Sequence, residues 1–191
     1  MAARAGPAGD IVRLKVTLRG IRPPIWRRLL VPKTMRLDRL HFVLQIAMGW
    51  RGGHLHAFTI DGREYGDPAM LDHVENEKQL TLGGIPRAGV KRFTYTYDFG
   101  DDWEHVIAIE KTEPPAAGQH YPVCVAGKRG GPPEDCGGVH GYMEMLEVLA
   151  DPAHPEYKEY VERLEDESFD AEDFPLDAIN QTLAAFGARQ G

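Results

Sequence analysis

A single serine, Ser168, occurs in the 191 residues, and it stands inside the acidic stretch Glu165-Asp166-Glu167-Ser168-Phe169-Asp170. Serine hydrolysis and serine recombination both need a hydroxyl prepared by a neighbouring base or cationic site. Neither is available there, so both activities are close to excluded. Cysteine is nearly as scarce: Cys124 and Cys136 are the two in the chain, too few to staple a secreted scaffold. No apolar run approaches the roughly 20 residues that cross a bilayer, and the Ala- and Gly-rich start lacks the apolar stretch of a secretory signal. Together these absences predict a cytoplasmic protein with no membrane span. Phosphate cradles are missing as well, since neither G-x-G-x-x-G nor G-x-x-x-x-G-K-[ST] follows a strand pattern. Asp98-Phe99-Gly100 spells the magnesium motif of kinases, but the other kinase motifs are absent and the match is accidental.

What is present is the composition of an ordinary globular protein, 42% hydrophobic and 27% charged, with 21 Gly and 14 Pro that demand many turns and loops. The length suits one domain. The expected organisation is a disordered tail over 1–10, a single domain over 11–187 and a disordered tail over 188–191. The net charge of −7 hides an asymmetry. Up to Gly53, eleven Lys and Arg face only Asp10 and Asp38, so this segment is +9 and the remainder −16. A basic front half can meet nucleic acid by releasing counterions from phosphates. It can equally pair with the acidic half of its own chain, which the outward-facing arginines favour.

Apolar Val12, Leu14, Val16 and Leu18 alternate with polar residues and predict a half-buried strand over Ile11–Arg19. Pro23-Pro24 interrupts the chain, and a second alternating strand up to Pro32 completes a hairpin. Leu37, Leu40, Leu44, Ala47 and Met48 recur at helical spacing, with Val43 and Ile46 widening the stripe, so 37–48 predicts a buried helix ending near Gly49. His54–Ile60 predicts a strand, Asp61-Gly62 a tight turn and Arg63–Tyr65 its return arm. The stretch 67–90 is loop-rich. Lys91–Asp98 and Trp103–Lys111 predict a hairpin closed by Phe99-Gly100-Asp101-Asp102. The Gly- and Pro-rich stretch 113–138 reads as a long ordered excursion. Beyond it, helices are marked by Tyr142, Met145, Leu146 and Leu149, by Tyr157, Tyr160, Val161 and Leu164, and by Leu176, Ile179, Leu183 and Phe186. The acidic run 162–173 reads as solvated surface. The fold class is α+β: a mixed, mainly antiparallel curved sheet packed against an N-terminal helix and a C-terminal helical segment.

His54 and His56, two apart on one strand, would share a face and could share a divalent metal ion, with His105, Asp98 or Asp101 supplying a third ligand. Paired histidines also serve as hydrogen-bonding groups, and that reading stays open. Cys124 and Cys136 lack knuckle spacing. They read as reduced structural thiols, a zinc site requiring further ligands such as His120 or His140. Asp98, Asp101, Asp102, Glu104 and His105 could hold a cation as nucleases do, although an acidic hairpin tip is the commoner explanation.

Four blocks carry a family likeness: Leu18-Arg19-Gly20-Ile21-Arg22-Pro23-Pro24-Ile25-Trp26-Arg27-Arg28; Ala47-Met48-Gly49-Trp50 through His54-Leu55-His56-Ala57-Phe58; Tyr97-Asp98-Phe99-Gly100-Asp101-Asp102-Trp103-Glu104-His105; and Pro132-Pro133-Glu134-Asp135-Cys136-Gly137-Gly138. In order and spacing the chain resembles the plasmid pRiA4b Orf-3-like family from about Ile11 to Phe186. The resemblance implies no established activity. Some members bear a transposon-resolvase label, against which the missing catalytic serine argues. Members often show an additional cysteine where this chain has Gly130-Gly131, a departure that weakens a cysteine-rich metal site.

The leading expectation is a non-enzymatic binding or adaptor domain, of the kind found with plasmids and mobile elements, whose ligand is protein or nucleic acid met through the basic N-terminal hairpin. The alternative is a metal-dependent hydrolase or nuclease using a His/Asp cluster. A third reading makes the same residues a hydrogen-bonded structural network. Candidate ligand-binding residues are Arg27, Arg28, Trp50, His54, His56, Asp98, Asp101, Asp102, Trp103, His105, Glu134 and Asp135. Candidate metal ligands are His54, His56 and His105. No cofactor is firmly indicated, and a divalent metal ion is the one candidate.

Overall fold

The computed structural model describes residues 9–85, 89–164 and 169–188. Strand β1 (Ile11–Leu18) turns Val12, Leu14, Val16 and Leu18 inward, each no more than 1% exposed. Strand β2 (Trp26–Pro32) pairs with it antiparallel, setting Leu29 opposite Leu14 and Val31 opposite Val12. Alternation thus produces one apolar face, as a period of two requires. That face is covered by α1 (Leu37–Met48), whose buried stripe includes Leu37, Leu40, Val43, Leu44, Ala47 and Met48. The helix stops at Gly49, whose left-handed φ of 88° lets its N–H reach the carbonyls of Gln45 and Ile46.

Strand β3 (His56–Ile60) turns through Asp61 and Gly62, both with positive φ, into β4 (Arg63–Gly66). A short β5 (Glu75–Asn76) lies parallel to β4, and the 3-10 turns Glu77–Gln79 and Leu82–Gly84 follow. Strands β6 (Arg92–Tyr97) and β7 (Trp103–Glu113) form the expected hairpin, and β8 (Val123–Lys128) pairs with β2. The result is one open eight-stranded sheet, β5-β4-β3-β6-β7-β1-β2-β8, antiparallel except at β4–β5. Bulges at Arg13/Leu14 and Arg28/Leu29 bend its strands. Helices α2 (Gly138–Leu149), α3 (Tyr157–Leu164) and α4 (Leu176–Ala188) close the chain. The class is α+β, as the patterning predicts.

The expected tails lie outside the described residues except at Gly9, Asp10 and Ala188. Asp10 is tied to Lys33 through its backbone carbonyl and its carboxylate, and Ala188 ends α4. Ser168 and part of the acidic run lie outside them too. No helix among the described residues is long and apolar enough to cross a membrane.

Strand β8 corrects the reading of 113–138 as loop throughout. It is an edge strand, and such edges invite foreign pairing unless covered. Here the Asn180 side chain of α4 accepts the Cys124 N–H at 2.8 Å and donates to the Cys124 carbonyl at 2.8 Å. One amide therefore stands where a ninth strand's peptide would. Asn180→Ala is expected to lower stability by about 2 kcal/mol, two hydrogen bonds' worth, and to accelerate exchange of the Cys124 amide. A Cys124 exchange rate equal to that of the parent would show that the edge is protected by other means.

Candidate functional site

The charge asymmetry resolves in part within the molecule. Arg13 pairs with Glu113 at 2.8 Å, Arg19 with Glu104 at 2.5 Å, Arg36 with Asp38 at 2.8 Å and Lys33 with Asp10. Arg28 forks onto Glu110 with contacts of 2.8 and 2.9 Å. Three of these carboxylates come from β7, in the acidic remainder. Arg27 lies inside, 1% exposed, with its guanidinium on backbone carbonyls and over the Phe174 ring.

The two histidines of His54-Leu55-His56 part company. Strand β3 begins at His56, so His54 lies outside the alternation that would have set both rings on one face. The His56 ring stacks on His41 of α1, 3.6 Å between centroids and 8° from parallel, and its Nε2 is 2.9 Å from the buried Glu77. His41 Nδ1 meets the Tyr95 hydroxyl at 2.7 Å, and Gln45 Nε2 donates to the same oxygen at 2.9 Å. The Tyr95 hydroxyl, accepting from Gln45, still has a proton to give and a lone pair to offer, so it can serve either tautomer of a neutral His41. Burial, reinforced by His56, pushes His41 down to about 3. His105 is fully buried, its Nδ1 3.2 Å from the Tyr95 carbonyl, and burial pushes it down to about 4. The candidate trio His54, His56 and His105 is therefore distributed over three environments.

His54 instead sits at the end of the sheet where the sequence blocks meet. Its Nδ1 is 3.5 Å from Asp98 Oδ2 and its Nε2 3.3 Å from Asp135 Oδ1. Among the described residues, these three are the group of His, Cys, Asp and Glu whose ligand atoms lie within 4.8 Å of one another. Asp98 is fixed by the hairpin: its N–H donates to the Leu55 carbonyl, and its Oδ1 accepts from Gly100 N–H at 3.0 Å. Asp98, Asp102 and Asp135 all have positive φ, near 55°, a conformation that Asp tolerates better than most residues.

The Pro132–Gly138 loop is pinned against this hairpin at several points. Trp50 Nε1 donates to the Pro132 carbonyl at 2.8 Å, while its ring stacks on Tyr97 and meets His105 edge-on. Glu134 accepts from the Tyr97 hydroxyl at 2.6 Å and from Arg51 N–H at 3.0 Å. Burial, then Glu134, raises the Tyr97 phenol. Asp101 Oδ2 accepts from Gly137 N–H at 3.2 Å. Trp103 is buried against Tyr142, and Asp102 is exposed. A Cβ on Gly131 would stand 1.9 Å from the Met48 carbonyl oxygen. That approach bars cysteine at 131 in this backbone and accounts for one glycine of the Gly130-Gly131 departure.

Neither cysteine is paired, and both are buried. Burial, then Asp101, pushes the Cys136 thiol up to about 12, and burial raises Cys124, so neither is an activated nucleophile. Surface concavities of about 440 and 370 Å³ open at Thr17–Pro24 and beside Lys33 and Thr81, with no residue of the His54 group in their walls. Next in sequence to His54 and Asp98, the apolar Leu55 at 37% and Phe99 at 47% are exposed, alongside the exposed carboxylate of Asp135. Reading by motif missed His41, Gln45, Glu77, Tyr95 and Tyr97. His41 and Gln45 were detectable, because they extend the Leu37–Leu40–Leu44–Met48 stripe at helical spacing.

Comparison with known proteins agrees with this arrangement of blocks. The chain is 39% identical over 187 residues to the uncharacterized protein y4hQ of Sinorhizobium fredii (strain NBRC 101917 / NGR234), covering 94% of each. A crystal structure of a protein of unknown function, MM3350 from Methanosarcina mazei Go1, superposes with a TM-score of 0.83 at 40% identity, covering 90% of this chain and 98% of that one. A family model described as plasmid pRiA4b ORF-3-like protein matches residues 10–178. The chain belongs to the plasmid pRiA4b ORF-3-like protein family.

Proposed function

We propose that this protein is a cytoplasmic, non-enzymatic binding or adaptor domain whose partner is a protein, docked on the sheet end that carries Leu55, Phe99, His54 and Asp135. One observation carries the reading. The polar groups of Trp50, Tyr97, Asp101 and Glu134 hold that end together internally, while apolar Leu55 and Phe99 stay exposed on its outside. A rigid frame with apolar anchors beside charged groups is the composition of a recognition surface. The ion pairs of Arg13, Arg19 and Arg28 favour protein over nucleic acid, because their charge is already answered by carboxylates. Buried neutral histidines and raised thiols do not supply the poised base or nucleophile that a hydrolase or nuclease would use. Two unpaired cysteines suit a reducing compartment.

The test is affinity purification from cells with the parent protein and with Phe99→Asp. A protein recovered in stoichiometric amount, insensitive to nuclease and lost with Phe99→Asp, is the expected result. Hydrolysis of a phosphodiester or peptide that disappears in His54→Ala would replace this reading with the metal-dependent enzyme.

A further inference from the structure

We propose that His54, Asp98 and Asp135 bind one first-row divalent cation of the zinc class. This inference is independent of the adaptor reading. Both ring nitrogens of His54 face carboxylate oxygens, Nδ1 that of Asp98 and Nε2 that of Asp135. One ring nitrogen and one oxygen of each carboxylate lie within 4.8 Å of one another, close enough for a single cation to draw them into its shell. The spacings of 3.3 and 3.5 Å are long for a charge-assisted hydrogen bond, which closes to about 2.7–2.9 Å. An imidazole gives a cation one nitrogen, so binding keeps one of these two contacts as a shell edge and draws the other carboxylate across to the ion.

Neighbouring groups select the donors. Asp98 Oδ1 is held by Gly100 N–H, so the oxygen facing His54 is Oδ2. Glu134 and Asp101 are nearby carboxylates already bonded to Tyr97, Arg51 and Gly137. Asp135 is 75% exposed and has its oxygen beside Nε2. Two carboxylates balance a dication's charge, and an imidazole among them favours zinc or manganese over calcium or magnesium, which prefer all-oxygen shells. With His54 about a third exposed, the remaining coordination positions open to solvent.

The experiment is zinc titration of chelator-treated protein, with elemental analysis after dialysis and the absorption spectrum of the Co²⁺ form. One zinc per chain is expected at micromolar concentration. Binding should weaken about tenfold or more in His54→Ala and in Asp135→Asn, remain unchanged in His120→Ala and His140→Ala, and give no sulfur-to-cobalt charge-transfer band. Asp135 lies at the surface, so its variant keeps the fold, which circular dichroism verifies. No uptake below millimolar zinc, unaltered uptake in Asp135→Asn, a thiolate band, or calcium binding as tight as zinc would each overturn the proposal. None of those results would touch the adaptor reading, which Phe99→Asp tests.

Discussion

Acidification from about pH 7 to about pH 5 should remove roughly 4 kcal/mol of folding stability, through two buried histidines. His41 is held at about 3 and His105 at about 4 in the folded protein, each against an ordinary value of 6.5, with burial the first cause in both. His56 stacks on His41 and disfavours its charge, and Arg27 does the same to His105. Both folded values are depressed, so the unfolded chain takes up these protons first. Stability is complete above pH 6.5 and falls as pH drops, towards about 4 for His105 and about 3 for His41. Between those limits each histidine contributes a slope of about 1.4 kcal/mol per pH unit. A loss of 4 kcal/mol is a large part of an ordinary domain's 5–15 kcal/mol. Urea unfolding across this range should show two protons taken up per molecule by these sites, with His105→Gln reducing the number to one. A flat urea midpoint from pH 7 to 5 would mean that these rings are accessible to protons in the native state.

The elements that could be read from the sequence are those in which a single period governs consecutive residues. Helix α1 occupies 37–48 as the apolar stripe predicts, and β1 and β2 alternate as expected. Strand β8 was hidden because Val-Cys-Val-Ala-Gly-Lys gives a short alternation between Pro122 and Gly130. What defines it is pairing with β2 and the Asn180 amide, both remote in sequence. The same limit applies to the site. The proximity of Asp98 to His54 was foreseeable from adjacent strands, whereas Asp135 arrives on a loop whose path is set by Trp50, Tyr97 and Asp101. The pairing of His54 with His56 failed for a local reason: alternation has force only within a strand, and β3 starts one residue after Leu55.

Arg27 shows why an alternating strand with a cation on its apolar face should not be read as a ligand surface. Its Nε donates to the Ala47 carbonyl at 2.7 Å, and its Nη1 donates to the carbonyls of Trp26 at 2.9 Å and Lys128 at 3.1 Å. Ala47 lies in the last turn of α1, where carbonyls lack an intrahelical partner. One guanidinium thus joins the end of α1 to β2 and β8, and the Phe174 ring packs on it with the guanidinium carbon 4.7 Å from the ring centroid. Burial lowers Arg27 to about 10, still protonated near neutral pH. Truncation leaves carbonyls without donors and a void between helix and sheet, so Arg27→Ala should destabilise by about 4 kcal/mol. Arg27→Met restores most of the volume without the donors and should lose about 2 kcal/mol, the penalty for stranded carbonyls. Arg27→Lys keeps charge but has no planar fork to reach three oxygens, and should fall between them. Chemical denaturation with an unchanged m-value reads these differences directly. Were Arg27→Met as stable as the parent, the carbonyls would be satisfied without the guanidinium, and Arg27 would be a packing element whose charge contributes nothing to the fold.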